Sequence, residues 1–565
     1  MSDAFGIDFG TTNSVLARTT ANGVEAVPLD PGLPLEWANL EFDRVLPSVI
    51  GFDGGDPVFG WAAKRQRTGK LEAVKRLFAT EDSVTIGDQD LKVEVAAAMF
   101  FRHIQQQAAA AGIIAKLNRA VVTIPANSRG LARFRTKLSA GLAGMEVLAL
   151  INEPTAAAMA YAHAIGQNQR ILVFDWGGGT LDVTVLQAFD GVFIEQASKG
   201  VQRLGGLDID DAFRAAVLPQ IPGSADWDDE KQALFRLDLE RAKIELSQQD
   251  TTRIPLPSGG YHQVSRALLE ESVAALVQRT REPVDICLRD SPGRIDHLVM
   301  VGGSSNMPVI RRFVSDIVGV EPSTGVNPML AVAQGAAIAS GILQGTVTDL
   351  DFHVGTEHAL GIVVHNDSSP PEGSFSVLIR RNTKYPARAT DSYVPAMDFQ
   401  EQVNVQVIEG DPDKPIGHED NVVLKDWDID LPEQRLRTDA SFTVTYEYDL
   451  DGILHVLVRD QRTGNVLSEQ EVAVGAAEDR TQLPLMRRNV DNLMTVGATP
   501  KPRISAEAQA VIRKARDKVL PFVADDDRDT LAKLVTDLES ATPETEKDRT
   551  EALEAELRNH AYLLW

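Results

Sequence analysis

The sequence predicts a large α/β unit, a small antiparallel β unit and a short helical tail, in that order along the chain. Three changes of pattern carry this prediction. Residues 1–345 alternate short apolar runs with helical patterns, as in α/β folds. Over residues 355–475 apolar and polar residues alternate with period two, which indicates an antiparallel β-sandwich. Over residues 476–565 the pattern is helical and highly charged.

Each unit contains runs that justify its prediction. In the first unit the buried strands are RAVVTIPA, RILVFDWG, LDVTVLQAF and HLVMVGG, and the helices include VEVAAAMFFRHIQQQAAAAG and DLERAKIELSQQ. In the second unit EQVNVQVIEGD, NVVLKDWDIDL and SFTVTYEYDLDGILHVLVRD alternate in polarity, and Asp451-Gly452 and Thr463-Gly464-Asn465 mark turns. In the tail Thr542-Pro543-Glu544 is a typical helix start, because a capping hydroxyl precedes a proline and an acid.

Composition and charge exclude several classes of protein. The chain has 565 residues, of which 43% are hydrophobic and 24% charged, as in globular proteins of several domains. Its net charge of −25 argues against a dedicated binder of nucleic acid or anionic membranes. No run approaches the ~18 apolar residues of a membrane span and no targeting signal precedes the first strand, so we expect a soluble, cytoplasmic protein. The single cysteine, Cys287, cannot form an internal disulfide or a thiolate metal site.

Two similar glycine-rich turns are the strongest functional signal. GIDFGTTNSV at residues 6–15 and FDWGGGTLDV at residues 174–183 each place an aspartate after an apolar run, followed by glycine and threonine. Glycine lets successive backbone N–H groups converge on one point, where phosphate binds, and the aspartate can hold the water shell of Mg²⁺. One such turn alone is more often only a tight hairpin. Two of them, with Gly302 and Gly303 of LVMVGGSSNMP, predict an ATP clamp between two similar halves.

These and other stretches resemble the heat-shock-70 (DnaK-type) chaperones, within the actin and sugar-kinase superfamily. The resemblance rests on GIDFGTTNS, AAKRQ, VKRLF, VVTIPA, INEPTAAAMAYA, FDWGGGTLDVTVL, LGGLDID, ERAKIELS, VGGSSNMP and YDLDGILHV. It implies an actin-like ATPase domain of two RNase-H-like lobes at 1–345, a linker at 346–354, a β-sandwich substrate-binding domain at 355–475 and a helical lid or tail at 476–565. The short tail is most similar to HscC-like members.

The resemblance implies hydrolysis of ATP to ADP and phosphate, which controls the binding of extended apolar segments of unfolded proteins. Asp8, Glu153, Asp175 and Thr180 would surround the terminal phosphates and the attacking water, with Asp8 and Asp175 holding Mg²⁺ mostly through water. The resemblance also admits K⁺ as a second cation. Lys64, in AAKRQ, would reach the γ-phosphate and help to position the water. Such chemistry depends on positioning and charge stabilisation.

Further residues implied by the resemblance enclose the phosphates, the ribose and the adenine. They are Gly10, Thr11, Thr12, Asn13, Gly177, Gly178, Gly179, Gly205, Gly206, Glu240, Lys243, Ser247, Gly302, Gly303, Ser304 and Asn306. The family usually has an arginine in place of Asn306, where the guanidinium stacks on the adenine, and an acid in place of Met329. Because such stacking contributes about 0.5–2 kcal/mol, we expect nucleotide affinity to be reduced up to roughly thirtyfold, with ATP still preferred.

Five residues of the β unit align with the family's peptide groove, and its deep pocket would lie at Val403. They are Ile362, Val364, Tyr393, Val403 and Val405, and their pattern alone fits an ordinary sandwich core equally well.

The resemblance also implies a relay between the domains and helper proteins. The relay would use Pro125, Arg133, Leu350 and Phe352, although Asp351 and His353 interrupt the apolar strip of the linker. A J-domain protein and a nucleotide-exchange factor are the expected helpers. J-domain proteins usually contact an arginine where this chain has Ala149, so either that partner differs or the dependence on it is lost.

Two other functions stay open from the sequence. A small-molecule kinase of the same superfamily would need an acceptor pocket but not residues 355–475, so the β unit argues against it. A nucleotide-switched binding module for one dedicated partner would fit the departures at Ala149, Asn306, Asp351 and His353. Suppression of the aggregation of several unrelated unfolded proteins would distinguish a general chaperone from such a module.

Overall fold

A computed structural model gives the architecture of the chain. It describes residues 3–113, 117–126, 128, 130–161, 168–189, 192–348, 356, 358–365, 372–381, 383, 386–418, 421–448, 454–472, 483–495, 506–523, 525–539 and 545–560. The chain forms two compact units, residues 1–491 and residues 492–565.

The regular elements follow in chain order. The strands are β1 (Phe5–Asp8), β2 (Asn13–Thr20), β3 (Gly23–Val27), β4 (Leu46–Pro47), β5 (Val49–Asp53), β6 (Asp56–Phe59), β7 (Lys70–Glu72), β8 (Ser83–Ile86), β9 (Gln89–Lys92), β10 (Arg119–Ile124), β11 (Glu146–Asn152), β12 (Arg170–Trp176), β13 (Thr180–Phe189), β14 (Val192–Gln202), β15 (Thr251–Pro255), β16 (Tyr261–Ser265), β17 (His297–Val301), β18 (Ala359–Val364), β19 (Ser374–Ile379), β20 (Ala387–Tyr393), β21 (Gln402–Gly410), β22 (Val422–Asp430), β23 (Phe442–Tyr448), β24 (Leu454–Asp460) and β25 (Val466–Val472). The helices are α1 (Gly60–Lys64), α2 (Val74–Leu77), α3 (Val93–Ala110), α4 (Gly130–Leu142), α5 (Glu153–Ala160), α6 (Gly206–Val217), α7 (Asp229–Gln248), α8 (Arg266–Arg279), α9 (Arg281–Asp290), α10 (Pro308–Val318), α11 (Ala331–Leu343), α12 (Leu483–Thr495), α13 (Ala506–Lys518), α14 (Asp525–Glu539) and α15 (Glu546–Asn559). Short 3₁₀ helices include Leu35–Leu40 and Gly303–Asn306.

The first sheet is mixed and carries the first glycine-rich turn. Its strand order is β11-β10-β1-β2-β3, with β4 paired to β2; β1 is parallel to β10 and antiparallel to β2. The apolar side chains of β1 and β10 are buried on both faces, so their sequences are nearly continuous apolar runs. Helix α11 packs directly on β1: a Cβ on Gly6 would collide with the backbone of Ala336 and Ala337, so the close approach requires glycine.

The second sheet repeats this plan and carries the second turn. Its order is β14-β13-β12-β17, in which β12 is parallel to β17 and antiparallel to β13. Its outer face packs against α6 to α10 through a core that includes Phe174, Trp176 and Phe213. Helices α5 and α11 share a second core with strands of both sheets. The two sheets therefore flank a pair of helices, and each presents one hairpin that follows an aspartate, Asp8 or Asp175.

Two four-stranded antiparallel sheets form the β unit, as the period-two pattern predicts. Their orders are β19-β18-β21-β22 and β20-β23-β24-β25. Alternate residues of both sheets point into one shared core, which includes Val407 from the first sheet and Val444, Tyr446 and Val456 from the second. The Tyr446 hydroxyl donates a hydrogen bond of 2.6 Å to the carbonyl of Gly361, which joins the two sheets through a buried contact.

The second compact unit contains three helices with a common core. Val511, Leu531, Val535 and Leu553 of α13, α14 and α15 are buried against one another. The predicted helix start at residues 542–544 lies outside the described residues, and α15 begins at Glu546. Throughout the ranges that the structure describes, no helix combines the length and the apolar character that crossing a bilayer requires.

Candidate active site

The two glycine-rich turns approach each other across a cleft at the ends of β1 and β12. A Cβ on Gly178 would collide with the side chain of Thr12, which belongs to the opposite turn. Within the first turn, a Cβ on Gly10 would collide with the carbonyl of Asn13. A Cβ on Gly205 would lie 2.5 Å from the backbone of Gly178, so the backbone of Gly205 packs directly against the second turn. The structure therefore brings together the two turns that the sequence pairs.

A cavity of about 90 Å³ lies between the turns. Most of the residues predicted for the phosphates line it: Asp8, Gly10, Thr11, Thr12, Asn13, Glu153, Asp175, Gly177, Gly178, Gly179, Thr180, Gly302 and Gly303. Pro125, predicted for the relay between domains, lines the same cavity. The predicted Lys64 does not.

Three carboxylates converge on this cavity. Burial, and next the carboxylate of Glu153, raise the pKa of Asp8 to about 7, although Lys75 and a 3.0 Å hydrogen bond from the Thr123 hydroxyl act against this rise. Burial and the neighbouring carboxylates, with Glu153 first among them, raise the pKa of Asp175 well above its ordinary value. Buried carboxylates in such proximity need a cation to remain ionised.

The donor set fits Mg²⁺. Carboxylate and hydroxyl oxygens are hard ligands, and Mg²⁺ in phosphate sites usually keeps several of its waters. Among the described residues, no three His, Cys, Asp or Glu side chains are arranged to hold a metal directly. Asp8 and Asp175 are the carboxylates that would hold the ion, since both are buried at the floor of the cleft with raised pKa values.

Lys75, rather than Lys64, is the lysine of the phosphate cavity. The Lys75 ammonium lies 2.6 Å from Glu153 Oε1, and 9% of the lysine side chain and 13% of the glutamate side chain are exposed. The Lys64 ammonium instead lies 2.8 Å from Glu240 Oε2 and over the rings of Trp37 and Trp61. Sequence reasoning missed Lys75 although VKRLF, which contains it, is part of the family resemblance.

A second cavity of about 330 Å³ adjoins the first and shares Thr12, Asn13 and Gly178 with it. It is lined by the predicted ribose and adenine residues Gly206, Glu240, Lys243, Ser247, Gly303, Ser304 and Asn306. Lys243 and Lys64 flank Glu240. Burial acts to raise the pKa of the Glu240 carboxyl, but the two ammonium groups outweigh this effect and hold the pKa below its ordinary value. This size suits a nucleoside, since ligand cavities start at about 300 Å³.

Leu40, Glu41 and Phe42 also line the second cavity, and sequence reasoning missed all three. Leu40 ends the 3₁₀ helix Leu35–Leu40, and Glu41 and Phe42 follow it. This segment contains no recognised motif. Its buried apolar residues, among them Trp37 and Phe42, distinguish it from an ordinary surface loop.

The residues predicted for the peptide groove lie around the shared core of the β unit. Ile362, Val403 and Val405 are buried within it, and Val364 and Tyr393 pack at its edge. The Tyr393 hydroxyl is 3.0 Å from Ser376 Oγ. Their assignment to a groove stays a prediction.

The remaining relay residues are only partly within the described chain. Arg133 is buried on α4. Leu350 and Phe352, with most of the predicted linker, lie outside the described residues. Ala149 is buried in β11, three residues before Asn152, which ends that strand.

Comparison with known proteins decides the family. A family model described as Hsp70 protein matches residues 79–564. The chain belongs to the Hsp70 family. Among its Hsp70 relatives, chaperone protein DnaK of Thermus thermophilus is 33% identical over 561 residues, which cover 90% of this chain and 88% of the relative. Chaperone protein DnaK of Thermotoga neapolitana is 36% identical over 499 residues, which cover 83% of this chain and 80% of the relative.

Membership of the Hsp70 family confirms the predicted function. The protein is an ATP-dependent chaperone and an ATP hydrolase. Hsp70 proteins bind ATP or ADP with Mg²⁺ and act on unfolded polypeptides with J-domain and exchange-factor partners. The closer resemblance to HscC-like members stays a prediction. The small-molecule kinase considered from the sequence has no support from these relatives.

Proposed function

We propose that this Hsp70 protein holds Mg²⁺-ATP with its phosphates between the two glycine-rich turns and its nucleoside in the larger adjoining cavity. The observation that carries the proposal is the approach of Gly178 to Thr12, which places one turn of each lobe against the other at the three buried carboxylates. Backbone N–H groups of such turns bind phosphate oxygens, and the threonine hydroxyls add donors.

In the proposed mechanism this chain's residues position the reactants and stabilise charge. Asp8 and Asp175 would hold the Mg²⁺, mostly through its waters, and the bound ion would neutralise charge on the phosphate oxygens. The Lys75 ammonium faces the γ-phosphate, and its ion pair with Glu153 fixes the direction in which it points. Glu153 orients the attacking water, and Thr11, Thr12 and Thr180 donate to the terminal phosphates.

Arg76 supports the second turn in this proposal. Its guanidinium donates a hydrogen bond to the carbonyl of Gly179 and lies where a Cβ on that glycine would be. Because Arg76 directly follows Lys75, the short helix α2 supplies both the lysine that faces the phosphates and the arginine that supports the turn. We therefore assign the role first predicted for Lys64 to Lys75.

A chain of polar contacts supports coupling between this site and the β unit. Asn152, next to Glu153, donates a hydrogen bond of 3.4 Å to Glu195 on β14. Glu195 is also paired with Arg381, which follows β19 of the β unit. Burial raises the pKa of Glu195, and the Arg381 guanidinium acts against this rise. We propose that this chain of contacts carries the phosphate state from Glu153 to the β unit.

The proposal extends to the architecture and the partners. Residues 1–345 would be an actin-like ATPase domain of two RNase-H-like lobes, 346–354 the linker, 355–475 the peptide-binding sandwich and 476–565 the helical lid or tail. The substrate would be an extended apolar segment bound near Val403. A J-domain protein, an exchange factor, K⁺ and a cytoplasmic location are proposed on family membership alone.

Single-turnover ATP hydrolysis by two lysine variants tests the site. Lys75→Ala removes a charge held beside the phosphates, and we expect the rate of hydrolysis to fall about 10²-fold or more. Lys64→Ala should leave the rate within about threefold, because Lys64 contacts Glu240 in the nucleoside cavity. A larger loss for Lys64→Ala than for Lys75→Ala would return the catalytic role to Lys64. Retention of the full rate by Asp8→Asn with Asp175→Asn would refute the site itself.

A further inference from the structure

Residues 33–45, between β3 and β4, form a wall of the nucleoside cavity that the motifs of the sequence do not explain. We name this segment the strap. Its residues Leu40, Glu41 and Phe42 line the same cavity as Glu240 and Asn306. The strap is therefore part of the space that a nucleoside would occupy.

The strap is anchored firmly to the first sheet. Trp37 is buried, with its ring centroid 4.6 Å from that of Trp61 and 5.2 Å from that of Phe42. Leu40 and Phe42 belong to a buried core that also contains Val15 of β2. Burial of three large apolar side chains holds the strap in one position relative to the sheet.

A hydrogen bond joins the strap to another segment that lines the cavity. Asn327 Nδ2 donates to Glu41 Oε2 at 2.8 Å. The Asn327 amide is fixed in this direction, because its Oδ1 accepts a 2.9 Å hydrogen bond from the backbone N–H of Met329. The next residue, Pro328, accepts a backbone hydrogen bond from Gly302, which directly follows β17 of the second sheet. The Glu41–Asn327 bond thus links the strap to the segment between α10 and α11, which also contacts the turn after β17.

The backbone of Glu41 supports a specific role for this bond. Glu41 has φ 61° and ψ 30°, a left-handed conformation that is unfavourable for residues other than glycine. Such a conformation persists where surrounding contacts hold the backbone in place. The neighbours Leu40 and Phe42 supply those contacts, because both are buried. Glu41, the residue with this unfavourable conformation, is also the one that accepts the hydrogen bond from Asn327.

The structure assigns to the strap the role of a base-binding wall, in which the base lies against Leu40 and Phe42 and leaves only when the Glu41–Asn327 bond opens. This inference rests on the proposed nucleoside cavity. Ile244 and Met329 pack against the same apolar cluster, so the side of the cavity formed with the strap is apolar, whereas Lys243 and Glu240 line the remainder. Apolar contact with a flat base replaces part of the stacking that an arginine in place of Asn306 would give.

The Asn327→Asp variant tests the bond in the full-length protein. The introduced carboxylate keeps an oxygen for the Met329 N–H but places a second negative charge opposite Glu41. We expect the dissociation rate of a fluorescent ADP analogue, measured by displacement with excess ADP, to rise about tenfold, since a charge-assisted hydrogen bond becomes a repulsion. An unchanged dissociation rate would overturn the inference.

A reversed pair provides the rescue and a matched control. In the double variant Glu41→Gln with Asn327→Asp, the new amide on the strap can donate to the new carboxylate across the cavity. The dissociation rate should therefore return to within about threefold of the wild-type rate. Glu36→Gln, at an exposed acidic residue of the same strap outside the cavity, should have no effect. If the double variant releases ADP as fast as Asn327→Asp alone, the bond does not close the cavity.

Pyrophosphate with Mg²⁺ separates this inference from the proposed function. It has no base, so the strap variants should bind it as the wild type does, within about twofold. If they bind pyrophosphate more weakly as well, the strap does not act on the base. The two ideas can also fail separately. If Asp8→Asn abolishes the binding of ADP but Asn327→Asp leaves the ADP dissociation rate unchanged, the inference about the strap fails and the proposed function stands. Thermal unfolding without nucleotide checks that each variant is folded.

Discussion

Burial determines the chemistry of His103, a residue of α3. The imidazole lies on α3 with its ring stacked on Phe59, at a centroid distance of 4.4 Å. Burial lowers its pKa to about 4, below the ordinary value of 6.5. The folded protein therefore binds this proton less readily than the unfolded chain does. Stability from the neutral ring is complete above about pH 6.5 and is lost as the pH falls towards 4.

The variant His103→Phe tests this pH dependence. Phenylalanine keeps the ring stack on Phe59 but cannot be protonated, so its free energy of unfolding should depend less on pH. Between pH 7 and pH 4.5 we expect the wild type to lose roughly 2–3 kcal/mol more than the variant. Urea titrations followed by circular dichroism at both pH values measure the difference. Parallel pH curves for the two proteins would contradict the expectation.

Lys64 and Lys75 show how far the position of a single side chain can be predicted from the sequence. Lys64 and Lys75 are both followed by arginine and both lie in stretches that resemble the family. Their sequence environment does not determine which ammonium group reaches Glu153 and which reaches Glu240, since both acids come from distant elements. By contrast the sequence does predict that Asp8 and Asp175 lie beside one cavity, because each lies at the end of a buried strand before a glycine-rich turn.

At the scale of secondary-structure elements, contact between backbones decides where glycine is essential. Helix α11 lies so close to β1 that Gly6 meets the backbone of Ala337. Gly141, near the end of α4, has no neighbouring atom in the space that a Cβ would occupy. The two positions therefore form a matched pair for substitution by alanine.

We expect opposite effects from these two substitutions. Gly6→Ala should destabilise the protein by about 3 kcal/mol or more, because the backbone of α11 cannot move aside without disrupting two cores. Gly141→Ala should be neutral or stabilise by up to about 1 kcal/mol, as alanine favours the helix. Thermal unfolding midpoints compare the two variants. A tolerated Gly6→Ala would show that α11 does not pack as tightly as described.

Sequence periodicity predicted the order of strands and helices better than it predicted the strap. The buried runs around β10, β12, β13 and β17 have strong patterns, so their structures follow from burial on both faces. The strap contains only a six-residue 3₁₀ helix, which has too few turns to show a period. Its position depends on Trp61 and Asn327, which are distant in sequence, and no local pattern contains that information.

At the scale of the whole molecule, the contact of Arg381 with the buried carboxylate of Glu195 joins the β unit to β14 of the second sheet. The Glu195 side chain is 8% exposed, whereas that of Arg381 is 43% exposed. A charge pair of this kind favours one arrangement of the two parts and is lost when they separate. Under the proposed function, its strength would contribute to the free energy that couples peptide binding to the nucleotide.

Arg381→Ala should weaken this coupling. We expect the stimulation of ATP hydrolysis by an apolar peptide to fall about fivefold, while hydrolysis without peptide stays within about twofold. Arg380→Ala is the control, since Arg380 is the exposed neighbour in sequence. The measurement is steady-state hydrolysis with and without peptide. Equal stimulation in the Arg381 and Arg380 variants would show that this ion pair carries no coupling.

The aromatic group beside Lys64 has a consequence for observing the protein at work. The indoles of Trp37 and Trp61 lie 5.4 and 5.1 Å from one ammonium group, which is itself tethered to Glu240 on the far wall of the cavity. Indole emission responds to the electric field of a nearby charge, so a shift of that tether as the lobes part would alter the spectrum. Under the proposed function, native tryptophan fluorescence would therefore follow the opening of the cleft without an attached dye.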